Sequence, residues 1–75
     1  MEIEERIMLD IGKFEESVSR LKSMKIAEKE RNVVELAEMY AKDAKSWLKK
    51  KDFYTAFASI SYAHGLLDAV IKLNK

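Results

Sequence analysis

Apolar residues recur in the first third of the chain at Ile7, Ile11, Phe14, Val18 and Leu21, at intervals of four, three, four and three. That alternation places them on one stripe of a 3.6-residue helix and predicts a first helix over about residues 2–22. Gly12 falls on the opposite face, where it costs about 1 kcal/mol of helix propensity without disturbing packing. Residues 23–29, SMKIAEK, have no apolar period, so a chain reversal is expected there, with Ser23 capping the second helix. A second stripe runs through Val33, Leu36, Ala37, Tyr40, Ala41, Ala44, Trp47 and Leu48, with Glu35, Glu38, Lys42, Lys45 and Lys49 on the far side, predicting a helix over about 29–50. Asp52 can accept the free backbone donors at the start of a third helix. That helix is expected from Phe53 to Leu73, with Phe53, Ala56, Phe57, Ile60, Ala63, His64, Leu67, Val70 and Ile71 facing inward. No segment alternates with period two, so strands are not expected.

Helices of this size are each about 30 Å long at 1.5 Å per residue. Joined by short turns they make an all-α, antiparallel three-helix bundle, up-down-up, with residues 1–75 as a single helical-bundle domain. A chain of 75 residues buries only about 60% of the surface it exposes when unfolded, which demands an efficient core. Hydrophobic residues at 48% are too many for a disordered chain, and charged residues at 36% interrupt any membrane span. Proline is absent and glycine occurs twice, so the helical runs are unbroken.

Charge and cysteine content narrow the setting further. Fourteen basic against thirteen acidic residues leave a net charge of +1, so no overall field draws in nucleic acid or anionic lipid. The cluster Lys42, Lys45, Lys49, Lys50 and Lys51 reads as a solvated face complementing the negative end of a helix dipole. With no cysteine and an acidic N-terminal MEIEERIMLD that resembles neither a signal peptide nor a lipidation site, a cytoplasmic location is expected.

The stretch Tyr40-Ala41-Lys42-Asp43-Ala44, then Lys51-Asp52-Phe53, Ala56-Phe57, Ile60 and above all Ser61-Tyr62-Ala63-His64-Gly65-Leu66-Leu67-Asp68-Ala69 resembles the archaeal family catalogued as domain of unknown function 357. The resemblance implies a compact helical bundle from an archaeon and no reaction, substrate or cofactor. A broader likeness to tetratricopeptide-type helical hairpins is carried by Ala44, Trp47, Asp52, Phe53, Ala56, Phe57, Ile60 and Ala63, but a solenoid needs several stacked copies and this chain shows one.

His64 is the sole histidine and falls within the apolar stripe of the third helix, where a polar ring needs a partner. Asp68, Tyr40, Asp43 and Asp10 are the candidates to meet it, and a histidine–carboxylate pair would supply acid–base chemistry. The plainer reading is a core histidine satisfied by one or two hydrogen bonds. A single histidine and no cysteine argue against a transition-metal site, leaving only an oxygen-rich set from Asp10, Asp43 and Asp68. No glycine-rich phosphate loop is present, the aromatics are spaced as core, and no cofactor, metal or catalytic residue is expected.

The third helix is apolar nearly all round, and two neighbours in a small bundle cover only part of it. Ala58, Tyr62, Gly65 and Ala69, with Leu66 and Leu73 beside them, form a candidate interface for a second copy or another protein, unless a helix of the same bundle fills that side. The favoured function is therefore a non-enzymatic protein-interaction module or self-associating bundle. The alternative is a small-ligand-binding protein or enzyme using a cleft around His64, Asp68 and Tyr40.

Overall fold

The computed structural model describes residues 2–74. Three helices succeed one another: α1 Ile3–Lys22, α2 Glu28–Lys49 and α3 Phe53–Leu73. They pack as an all-α three-helix bundle, 36 × 20 × 16 Å. Ion pairs from Glu15 to Lys45 and Lys22 to Glu38 descend α2 as they climb α1, and Glu4 reaches Lys51 in the turn just beyond α2, so these two helices are antiparallel. The short turn after α2 reverses the chain again and sets α3 parallel to α1, with His64 beside Asp10.

The core is wholly apolar. α1 contributes Ile7, Ile11, Phe14, Val18 and Leu21, α2 contributes Val34 and the run Ala37, Ala41 and Ala44, and α3 contributes Ala56, Ile60, Ala63, Leu67 and Val70. Alanines on both sides of the α2–α3 seam let those two backbones come together, and they are the most closely packed pair. The bulky stripe of α1 lies over that seam and leans toward α3, so α1 and α2 are the least closely packed.

Local chemistry sets the helix ends. Ser23 does not cap α2; it ends α1, its hydroxyl donating to the Arg20 carbonyl at 2.7 Å and its backbone N–H donating to the same carbonyl at 3.2 Å. α2 begins after Ala27, whose N–H donates to the Glu30 carboxylate at 3.2 Å, and the same carboxylate accepts from Asn74 at the end of α3. The α2–α3 turn combines two caps. Lys51 takes the left-handed conformation (φ 66°), which lets its N–H reach the Leu48 carbonyl and the Asp52 N–H reach the Trp47 carbonyl, both at 3.0 Å. The Asp52 carboxylate then accepts from the Thr55 N–H at 3.1 Å and the Thr55 hydroxyl at 2.9 Å, starting α3 directly after the turn.

Two inward assignments differ from the helical-wheel reading. Phe57 is 38% exposed, because it lies two turns before His64 on the α1 side of α3, level with the first residues of α1, where that helix has too little length to cover it. Leu36 is also exposed, and Val34 takes the core position instead. α1 covers the flank of α2 that carries Val34 and leaves the Leu36 flank open.

Candidate functional site

His64 lies half-buried on the α1 side of α3. Its Nε2 is 2.8 Å from the backbone carbonyl oxygen of Asp10, and its ring meets the Phe14 ring edge-on at 5.6 Å. The Asp10 carboxylate turns away to Arg6, 3.4 Å distant on its own helix. The imidazole is thus anchored as an Nε2–H donor bridging α1 to α3. Tyr40 faces elsewhere, its ring edge-on to Tyr62 at 4.7 Å, while Asp43 and Asp68 are exposed. Among the described residues no hydrogen bond or ion pair joins Tyr40, Asp43 or Asp68 to His64, and no group of three or more His, Asp or Glu side chains is placed to hold a metal.

The candidate interface residues do share a surface. Ala58, Tyr62, Gly65, Ala69 and Leu73 are all exposed, with Tyr62 at 53% and Leu73 at 72%. Leu66 is half-buried at the edge and packs against the core. Tyr54, 87% exposed, extends the surface by one further turn, a contribution that the sequence pattern leaves easy to overlook although its spacing of four before Ala58 announces it. A Cβ at Gly65 would have nothing from the other described elements, and no side chain beyond its immediate neighbours, within 4 Å. No helix of the same bundle therefore fills the space in front of that residue.

What distinguishes this face is its lack of charge. Of the exposed positions on α3, only Asp68 and Lys72 are ionised. The outer sides of α1 and α2, by contrast, carry dense and mutually paired charge: Glu4 with Lys51 at 3.3 Å, Glu15 with Lys45 at 2.6 Å and Glu38 with Lys22 at 3.2 Å. These pairs are solvent-exposed and each contributes about 0–1 kcal/mol, but they link α1 to α2 along its length. No helix among the described residues is long and apolar enough to cross a membrane.

A family model described as a protein of unknown function, DUF357, matches residues 10–75. The chain belongs to that family. The matched segment of this DUF357 protein starts at Asp10, whose carbonyl holds His64, and takes in all of α2 and α3. No functionally curated protein matches the chain.

Proposed function

We propose that this DUF357 protein is a non-enzymatic interaction module that pairs with a second copy of itself through the outer face of α3. The observation that carries the reading is the open, charge-poor surface around Gly65, with no atom of another described helix within 4 Å of the missing Cβ. Glycine in mid-helix sacrifices about 1 kcal/mol relative to alanine, and the bundle itself gains no close approach from it. A neutral face also suits a second copy, because two identical surfaces meet in an isologous contact and like charges would oppose each other on α1 or α2. The face of α3, about 30 Å by 10 Å, offers roughly 300 Å² per copy against about 800 Å² in a standard interface. The dimer is accordingly weak and concentration-dependent, with Tyr40 and Leu36 along the α2–α3 seam adding to it.

Sedimentation equilibrium over a wide concentration range tests the reading. Wild-type protein should shift toward the mass of two chains as concentration rises, and Gly65→Leu should stay at one chain. Because the new side chain enters open space, the variant should remain fully helical and melt at least as high as wild type. A wild-type protein that is monomeric at about 1 mM, a concentration that detects even the weakest specific pairing, or a Gly65→Leu variant that still dimerises, overturns the proposal.

A further inference from the structure

On α2, the flank beside the open face of α3 carries a charge pattern that the bundle itself does not use. Lys29, Leu36 and Asp43 follow one another at intervals of seven residues. They therefore lie on one line along the helix, with Leu36 midway and each charge about 10.5 Å from it. Lys29 and Asp43 are exposed, and neither has an ion-pair partner among the described residues. Leu36 is 41% exposed and its neighbour Met39 64%. The register of the α2–α3 hairpin brings this line level with the open face of α3. Tyr40 meets Tyr62 edge-on; four residues back on α2 and four onward on α3, Leu36 stands level with Leu66, next to Gly65.

We infer, on the basis of the self-pairing through α3, that the second copy lies antiparallel, α2 along the partner's α2 and α3 along the partner's α3, with the two-fold axis at the level of Leu36 and Leu66. A two-fold axis maps each contact onto its reciprocal. Leu36 then meets the partner's Leu36, Lys29 stands opposite the partner's Asp43, and Asp43 stands opposite the partner's Lys29. The charges are self-complementary about the axis. A parallel alignment of the same flanks sets Lys29 against the partner's Lys29 and Asp43 against the partner's Asp43, and so repels. The axis also passes within one residue of Gly65, so the absent side chain lies where α3 approaches the partner's α3 most closely. Interface area points the same way. The face of α3 offers roughly 300 Å² per copy, and the flank of α2 from Lys29 to Asp43 adds about 20 Å by 10 Å. The total of roughly 500 Å² comes nearer to the standard of about 800 Å².

Charge reversal reads out the register. In sedimentation equilibrium, Lys29→Asp and Asp43→Lys should each self-pair at least about tenfold more weakly than wild type, because like charges then face each other at both ends of the contact. An equimolar mixture of the two variants should recover pairing to within about threefold of wild type, since in the mixed dimer one copy is positive at both positions and the other negative. Lys13→Asp, exposed on α1, should pair as wild type does, and all three variants should keep the wild-type helical melt. Wild-type pairing should also weaken between about 50 and 300 mM salt as the exposed charges are screened. A mixture that pairs no more tightly than either variant alone, or single variants that pair as wild type does while Gly65→Leu is monomeric, overturns the antiparallel register and leaves self-pairing through α3 in place. Wild-type protein that is monomeric at about 1 mM overturns both.

Discussion

Lys51 occupies a backbone conformation that disfavours a side chain. Its φ of 66° completes the paired carbonyl bonds that end α2, a position where glycine carries no steric cost. Lys51→Gly should therefore raise stability by about 0.5–1 kcal/mol even after the added freedom of the unfolded chain is counted; the ion pair to Glu4 is exposed and its loss subtracts little. Asp52→Ala removes the acceptor for two donors of Thr55 and should cost about 1 kcal/mol. Urea melts of both variants check the pair, and the same sign for both would contradict the geometry of the turn. A second comparison separates two phenylalanines. Phe14 is buried beneath His64 and Phe57 is partly open, so Phe14→Ala should cost about 3–5 kcal/mol by leaving a cavity. Phe57→Ala should cost nearer about 1 kcal/mol, in proportion to the smaller apolar area it removes from contact.

Among the elements, α3 is the most legible from sequence. Asp52 marks its start by a bond formed within three residues, and its end is given by the loss of the apolar stripe after Val70 and Ile71, so its bounds Phe53–Leu73 coincide with the pattern. All five stripe residues of α1 are buried for the same reason: large apolar side chains at strict intervals leave one choice of inward face. α2 is harder. Its inward face is mostly alanine, and a stripe of small residues does not fix its own centre on the wheel, so the pattern points to Leu36 where the fold buries Val34. Which flank of a helix is covered depends on where the third helix lies, and no local pattern records that. The same limit applies to His64, whose neighbours on its own helix are legible but whose partner, a backbone carbonyl of α1, depends on inter-helix register. The open face around Gly65, by contrast, is visible as a run of small residues.

Across the whole molecule, charge is sorted by helix. The acidic start of α1 lies beside the basic end of α2, the basic end of α1 beside Glu38, and α3 is nearly neutral. That arrangement favours α1 antiparallel to α2 and disfavours the reversed placement, which would set Glu4 near Glu38 and Lys22 near Lys51. The close alanine seam between α2 and α3 has a consequence for kinetics. Its contacts join neighbours in sequence across a very short turn, so the loop to be closed is small and its entropy cost low. The α2–α3 hairpin should therefore form first and α1 attach to it afterwards. In native-state hydrogen exchange the amides of Ile7, Ile11 and Phe14 should open at lower free energy than those of Ala41, Ile60 and Ala63; uniform protection across all three helices would show a single cooperative unit instead. Such an order makes α1 the part of the molecule that can peel away while a two-helix kernel persists.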